Sequence, residues 1–257
     1  TARPRVWDDV LSSELLDLLR GSVDDLCTWR TKSPRKLCTF WLGQKATART
    51  AAEVVGRLLL RLLGEDEEDY EGIEWWCRNQ CASMGAHFHY DTAISGCLDK
   101  SSNLERPSWS SVLYLGDIGG PTMILDQVCA PDGLSHVPPI PSRGWISTST
   151  SNRWLAFPGA LRHGSVSFGL REPAPKEPRY VILYNYWKRG LRPAPPTCDE
   201  PSFEDYLPVC PLSPAAVHVL DRERLEDLRT KGLHAAKDTH LTRFHMPPTC
   251  WLCCGAR

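Results

Sequence analysis

The chain has 257 residues, of which 42% are hydrophobic and 9% aromatic, enough to bury one substantial core. A single domain with additions at its ends is therefore expected. Its 30 Lys and Arg residues balance 31 Asp and Glu residues, which speaks against a general nucleic-acid-binding or membrane-binding surface. We expect the function to lie in a local site.

The composition also bears on the compartment. The first residues, TARPRVWDDV, lack the basic and then apolar pattern of a signal peptide, and no apolar run of about 18 residues is present for a membrane span. Eleven cysteines form an odd set at irregular spacings, which favours reduced thiols over a disulfide framework. These features predict a soluble intracellular protein, most simply a cytoplasmic one.

Two amphipathic helices are predicted in the first 72 residues. Residues 8–19 place four leucines on one stripe at helical spacing, with acidic residues in the first turn. Residues 47–63 repeat the pattern, and Gly64 is expected to end the second helix. The acidic segment GEDEEDYEG that follows lacks the ligand spacing of a calcium loop. Residues 1–72 are therefore expected to form a helical support that ends in a solvated connector.

After residue 72 the sequence changes to short apolar or alternating runs separated by Gly, Pro, Asp and Ser. The eight runs are IEWWCRN, GAHFHYD, SWSSVLYLG, TMILDQV, GWIST, RWLAF, HGSVSFG and RYVILYNYW. Because no long helical period lies between them, residues 73–188 are predicted to form an all-β sandwich or barrel.

The remaining residues, 189–257, are predicted to form a proline-rich and helical extension. The segment GLRPAPPTCDEPSFEDYLPVCPLSP contains too many prolines for a sheet interior, and a last helix is expected to begin at Ser213. The end of the chain, HLTRFHMPPTCWLCCGAR, contains the C-x2-C half of a zinc site but no second pair of cysteines. Reduced thiols and a zinc site both remain open there.

The run GAHFHYD carries His87, His89 and Asp91 on alternate positions. On a strand these side chains would point to one face, with successive residues about 7 Å apart. A neutral imidazole and a carboxylate separated by one residue can occupy adjacent corners around a metal ion, and a second imidazole completes the face used by non-haem Fe(II) oxygenases. His87 is assigned to packing or a supporting contact, because a fourth protein ligand would block this chemistry.

A third ligand and a charge partner are both found downstream. His163 follows a turn-forming Pro-Gly and precedes a run of β character. Arg179 begins RYVILYNYW, and its planar guanidinium suits a bidentate carboxylate. Arg171 is the alternative anchor, but it opens REPAPKEP, which is typical of a loop.

The order of these motifs resembles that of the Fe(II)- and 2-oxoglutarate-dependent dioxygenases, most closely their prolyl 4-hydroxylase-like branch. The resemblance covers residues 74–187 and rests on HYD at 89–91, VLYLGDIGGPT at 112–122, FPGALRHG at 157–164 and RYVILYNYW at 179–187. It implies a mainly β fold with flanking helices (α+β), whose core is a double-stranded β-helix, the jelly roll of cupin-like proteins.

The resemblance also implies roles for individual residues. His89, Asp91 and His163 would be the iron ligands, and Arg179 would pair with the distal carboxylate of 2-oxoglutarate. Tyr114 matches a tyrosine that hydrogen-bonds the same carboxylate in several family members, although YLG here replaces the family's YLN.

The activity so implied is hydroxylation of a small molecule or a peptidyl side chain, with O2 consumed and succinate and CO2 released. Ascorbate is a candidate accessory reductant. The expected partner is the small-molecule or protein substrate, and neither nucleic acid nor a membrane is expected. Two other classes stay open: a catalytically inactive jelly-roll binding module, and a cupin-like metalloenzyme that does not use 2-oxoglutarate.

Other conspicuous residues have structural interpretations as well as functional ones. Five tryptophans in the strand runs are expected in the core rather than around a substrate pocket: Trp75, Trp76, Trp109, Trp154 and Trp187. Arg153 and Arg162 flank the third histidine and are expected to face either an acidic substrate or solvent. Asn185 shares a strand face with Arg179 only if no bulge intervenes.

Overall fold

The computed structural model describes residues 3–32, 39–81, 85–92, 105–166, 178–191 and 242–245. Its helices are α1 (Ser13–Lys32) and α2 (Ala51–Leu62), and a 3-10 turn spans Glu67–Asp69. No helix in these ranges combines the length and the apolar composition that crossing a membrane requires.

The described strands, in chain order, are β1 (Arg5–Trp7), β2 (Phe40–Gly43), β3 (Tyr70–Cys81), β4 (Ala86–His89), β5 (Trp109–Tyr114), β6 (Thr122–Leu125), β7 (Val128–Cys129), β8 (His136–Val137), β9 (Arg143–Ser147), β10 (Arg153–Pro158), β11 (His163–Ser165), β12 (Pro178–Lys188) and β13 (Thr242–His245). Each of the eight predicted runs overlaps at least one of these strands. The sequence predictions do not include the short strands β1, β2, β7, β8 and β13. A segment of two to four residues is too short to show an alternating pattern of its own.

The strands form two antiparallel sheets and a hairpin. The major sheet has the order β1-β10-β5-β12-β3-β2, the minor sheet has the order β13-β9-β6-β11-β4, and β7 pairs with β8. From β3 to β6, and again from β9 to β12, successive strands alternate between the two sheets. This alternation is the winding of a double-stranded β-helix, so the predicted fold is confirmed.

A capping box at Thr50 sets the first residue of helix α2. Thr50 accepts a hydrogen bond from the backbone N–H of Glu53, whose carboxylate accepts in return from the backbone N–H of Thr50, which completes a capping box. The helix therefore starts at Ala51 rather than at residue 47. Gly64, with φ of 77°, takes the left-handed conformation that commonly ends a helix, as predicted.

Helix α1 differs more from the prediction. It begins at Ser13 rather than at residue 8, because residues 5–7 pair as β1 with β10 and the hydroxyl of Ser12 accepts from the backbone N–H of Leu15. It also continues to Lys32, past the last predicted residue.

The major sheet buries both of its faces, and α1 and α2 pack on the outer one. On β5, Trp109 and Leu113 contact the helical layer, whereas Val112 and Tyr114 belong to a second cluster between the sheets. The expectation of core tryptophans holds for Trp75, Trp109, Trp154 and Trp187, whereas Trp76 is only partly buried. This layering leaves the space between the sheets for the polar residues described below.

Arg153 has neither of the two roles considered from the sequence. Its guanidinium is buried and donates to both carboxylate oxygens of Asp8, at 2.6 and 2.9 Å. It also donates to the Thr148 hydroxyl at 2.9 Å. Arg153 thus ties the N-terminal segment to β10 and faces neither a substrate nor solvent.

The C-terminal extension is described only at residues 189–191 and at β13, which pairs with β9. The proline-rich segment, the predicted helix from Ser213 and the cysteine-rich end of the chain lie outside the described residues, as does Arg171. Within the described residues Cys129 is a free thiol.

Candidate metal centre

Three side chains converge at one end of the minor sheet. His89 is the last residue of β4 and His163 the first of β11, and the two residues are paired directly across these strands. Asp91 follows two residues after β4 and places its carboxylate oxygens 3.7 Å from His89 Nε2 and 3.5 Å from His163 Nε2. One ligand atom from each residue lies within 4.8 Å of the other two. This spacing suits a single metal ion.

Both imidazoles are oriented by backbone carbonyls. His89 Nδ1 lies 2.7 Å from the carbonyl oxygen of His87, and His163 Nδ1 lies 3.0 Å from that of Leu161. A carbonyl can only accept, so each neutral ring carries its proton on Nδ1 and leaves a lone pair on Nε2. Both lone pairs are on the nitrogens nearest Asp91. The contact of His87 is thus made by its backbone, while its side chain is exposed and lies outside the cluster.

The carboxylate of Asp91 is held from the opposite sheet. Ser110, on β5 of the major sheet, donates its hydroxyl proton to Asp91 Oδ2 at 2.7 Å. This hydrogen bond spans the interior of the β-helix and limits rotation of the carboxylate. A contact of this kind orients a metal ligand and commonly accounts for a substantial part of metal affinity.

Burial favours the neutral, metal-binding form of His163. The pKa of His163 is lowered, chiefly because its ring is removed from water and further because His89 is close, while Asp91 opposes the shift. Phe157 covers the same ring, with the two centroids 4.7 Å apart. His163 is therefore neutral at neutral pH, the form that coordinates metals.

Arg179 occupies a buried position on β12. Its Nη2 donates to the Thr122 hydroxyl at 3.2 Å, but its buried Nε has no hydrogen-bond partner. Among the described residues no carboxylate lies within 4 Å of this guanidinium. A buried arginine without an anion is unfavourable, so the position is suited to a ligand that brings a carboxylate.

Tyr114 and Thr122 complete the surroundings of this guanidinium. The Tyr114 hydroxyl donates to the Thr122 hydroxyl oxygen at 2.7 Å, and the Arg179 guanidinium lies 5.6 Å from the centre of the Tyr114 ring. Gly119 has φ of 116°, and a Cβ at this position would overlap the Arg179 side chain. The turn after β5 therefore needs glycine both for its backbone and for the close approach of Arg179.

The arginine and the metal ligands face the same interior. On β5, Ser110 and Tyr114 lie on one face, four residues or about 13 Å apart along the strand. Ser110 contacts Asp91, the Tyr114 ring lies beside the Arg179 guanidinium, and Val112 lies between the two on the strand. A ligand with one end at the metal ligands and a carboxylate at the other end would lie along this face.

A second buried carboxyl, Glu74 on β3, lies beside Asn185. Asn185 Nδ2 and Trp187 Nε1 donate to Glu74 Oε2 at 3.4 and 3.2 Å. The pKa of Glu74 is raised, first by burial and also by the negative charge of Asp91. The ladder between β12 and β3 is regular up to Trp187, so Asn185 does share a face with Arg179, and its amide satisfies a side chain rather than the backbone.

Sequence reasoning missed Ser110, Thr122 and Glu74. Each of these residue types is common in β-strands, and each side chain contacts a partner from a distant segment of the chain. No spacing within the local sequence therefore indicates its role. The alternation of SWSSVLY does place Ser110 on the face of Tyr114, which is the one signal available. Arg162 was singled out, but it donates to Gln127 Oε1 at 3.1 Å and lies over the Phe88 ring, outside the ligand cluster.

Comparison with solved structures returns several proteins of this architecture. A prolyl-4-hydroxylase from Pseudomonas putida is 16% identical over 76% of this chain and 90% of its own, with a TM-score of 0.44. HygX from Streptomyces hygroscopicus, solved with nickel and 2-oxoglutarate, is 14% identical over 75% and 85%, with a TM-score of 0.42. A Trichoplax adhaerens prolyl hydroxylase, solved with a peptide fragment of hypoxia inducible factor, is 14% identical over 73% and 84%, with a TM-score of 0.43.

No protein-family model and no curated protein matches the chain. The three solved structures therefore show a likeness of fold at 14 to 16% sequence identity.

Proposed function

We propose that the protein is a non-haem Fe(II)- and 2-oxoglutarate-dependent dioxygenase that hydroxylates a small molecule or a peptidyl side chain. The buried guanidinium of Arg179, which has an unpaired Nε and no carboxylate beside it among the described residues, is the observation that carries this proposal. A metal site alone would be compatible with many enzymes. The positively charged side chain of Arg179, buried in the same interior, indicates in addition a cosubstrate that has a free carboxylate at one end.

The donor set fits ferrous iron. Two neutral imidazoles and one carboxylate form the facial set of non-haem Fe(II) oxygenases and leave the remaining coordination positions for cosubstrate and O2. When bound, iron and 2-oxoglutarate would supply the oxidising chemistry, with succinate and CO2 as products. His89, Asp91 and His163 would hold the metal, and Ser110 would keep the carboxylate of Asp91 in place.

The other tasks of this chain are binding and exclusion. Arg179 would pair with the distal carboxylate of 2-oxoglutarate, and Thr122 would orient both the guanidinium and the Tyr114 hydroxyl. Val112 and Phe157, both buried in the inner cluster, would keep water away from the reacting groups. None of these side chains has to supply an acid or a nucleophile.

Titration with Mn(II) and N-oxalylglycine, an analogue of 2-oxoglutarate that is not decarboxylated, tests the proposal. Arg179→Met should weaken N-oxalylglycine binding by about 100-fold, the effect expected when a buried charge pair loses one partner, and should leave Mn(II) affinity unchanged. Arg189→Met, at an exposed position, is the matched control. The wild-type protein with Fe(II) and O2 should form succinate from 2-oxoglutarate.

Two results would replace the proposal by an alternative. If Arg179→Met bound N-oxalylglycine as tightly as the wild-type protein and Arg171→Met did not bind it, Arg171 would be the residue that anchors the carboxylate of 2-oxoglutarate. Metal binding without any affinity for N-oxalylglycine in the wild-type protein would favour a metalloenzyme that does not use 2-oxoglutarate.

A further inference from the structure

A second recess lies away from the metal ligands. It is a cleft of about 410 Å³ between the edge of the major sheet at β1 and β10 and the edge of the minor sheet at β9 and β13. Arg3, Arg143 and Arg243 line it, each from a different segment of the chain. Neither the three candidate metal ligands nor Arg179 is part of its wall, so the cleft is a separate site.

The cleft has an excess of positive charge. Asp126 is the one carboxylate among the described residues that line it, and it already lies 3.4 Å from Arg143 Nε and accepts from the Ser142 hydroxyl. In the part of the chain that the structure describes, no carboxylate lies within 4 Å of Arg3 or Arg243. Arg3 and Arg243, which line the cleft from different segments of the chain, are thus available for an anionic partner.

The surfaces between these arginines are apolar. Trp145, Pro158 and Leu161 line the cleft, and Val128 and Val137 of the β7–β8 hairpin lie at its border. A cleft lined by both apolar and positively charged side chains suits an occupant that has apolar side chains as well as carboxylates.

The apolar surface extends beyond the cleft along the same hairpin. The large hydrophobic side chains that the described residues leave exposed all lie between residues 128 and 140: Val128, Leu134, Val137 and Ile140, with exposed fractions of 36%, 88%, 52% and 51%. Apolar side chains that are grouped in this way, rather than scattered singly, mark an interaction surface.

We propose that the cleft and the β7–β8 hairpin together bind an extended acidic peptide segment of another protein. Carboxylates of the segment pair with Arg3 and Arg243, and its apolar side chains cover Trp145 and the hairpin. A small carboxylate bound in the cleft would leave Leu134 and Ile140 exposed to water. An extended chain reaches from the cleft to the hairpin tip, which is why a peptide fits these observations better. The inference does not depend on the proposed dioxygenase activity.

Selection from a displayed library of random dodecapeptides tests this inference. The library is selected on the full-length protein and counter-selected on the double variant Arg3→Glu/Arg243→Glu, which removes peptides that bind elsewhere. The peptides that remain should be enriched in Asp and Glu next to Leu, Ile or Phe. An empty pool after counter-selection, or a pool without acidic enrichment, would overturn the proposal.

One selected peptide is then labelled and titrated by fluorescence polarisation. The double variant and Leu134→Asp should each weaken binding by about tenfold or more, while Lys45→Glu, a charge reversal at an exposed position that does not line the cleft, should not. Unchanged thermal midpoints would show that the variants are folded.

Equal affinity of wild type and double variant for the peptide contradicts the proposal. Complete displacement of the peptide by dodecanoate also contradicts it, because that result would indicate a small-molecule site. A concentration-dependent dimer that dissociates in the double variant would identify a second copy of the chain as the occupant instead.

Discussion

His89 and His163 lie directly opposite each other on β4 and β11, with their ring centroids 4.5 Å apart. The pairing of two strands therefore brings together two imidazoles that are far apart in sequence. The carboxylate of Asp91, two residues beyond the end of β4, lies 3.7 Å from His89 Nε2 and 3.5 Å from His163 Nε2. The register of one strand pair thus decides whether the candidate metal site exists.

Removal of one imidazole should abolish metal binding. His163→Ala should lower the Mn(II) affinity by more than about 100-fold, because two ligands remain where three are needed. His87→Ala is the control: its side chain is exposed, and its contact to His89 is made by the backbone carbonyl, which the substitution keeps. Calorimetric titration compares the two variants. Equal losses in both would show that our ligand assignment is wrong.

Two adjacent serines on β5 offer a matched test of the support of Asp91. Ser110→Ala should weaken metal binding by about tenfold, since the carboxylate loses the donor that orients it. The hydroxyl of Ser111 instead donates to the backbone carbonyl of Tyr184, so Ser111→Ala should affect stability but not metal affinity. Titrations with Mn(II) and thermal unfolding of both variants separate the two effects. If Ser110→Ala keeps full metal affinity, this hydrogen bond does not position the ligand.

Removal of the Thr122 hydroxyl should weaken cosubstrate binding without changing the affinity for the metal ion. Thr122→Val keeps the shape of the side chain but leaves Arg179 and Tyr114 without their shared oxygen, so the affinity for N-oxalylglycine should fall by about tenfold. Thr122→Ser keeps the hydroxyl and should restore most of the affinity. A loss of the same size in the serine variant would mean that packing, not the hydroxyl, is responsible.

The capping box of α2 can be tested by stability alone. Thr50→Ala should lower the free energy of unfolding by about 1 kcal/mol, because the backbone N–H of Glu53 loses its acceptor. Thr47→Ala, at an exposed position outside the helix, is the control and should have little effect. Chemical denaturation of both variants gives the comparison.

Glu74 should give a pH dependence that Glu74→Gln removes. Burial raises the pKa of Glu74 in the folded protein above that of a glutamate in the unfolded chain, about 4.3. Below that value both states are protonated, and as the pH rises through the folded-state pKa the folded protein loses stability relative to the unfolded one. Glutamine keeps an oxygen for Asn185 and Trp187 without the charge. The free energy of unfolding of the variant should therefore exceed that of the wild type increasingly from about pH 4 towards neutrality. A difference independent of pH would show that Glu74 does not change its protonation on folding.

The sequence by itself determined the class of fold. The eight strand runs and the two helices could be found because alternation and helical spacing are local properties, visible within a few residues. Local motifs made His89, Asp91, His163 and Arg179 candidates, and the resemblance to a known family added Tyr114. Their roles remain proposals, and so do the boundaries at residues 72 and 188, although β1 and β2 show that residues before 72 also contribute strands to the major sheet.

Only the tertiary structure decided which side chains meet. The contact of Ser110 with Asp91, the shared hydroxyl of Thr122 and the pairing of Arg153 with Asp8 each join segments that are distant in sequence. Such contacts depend on strand register and on how the two sheets face each other. A shift of one residue would turn each of these side chains to the opposite face, and no short stretch of sequence records that choice.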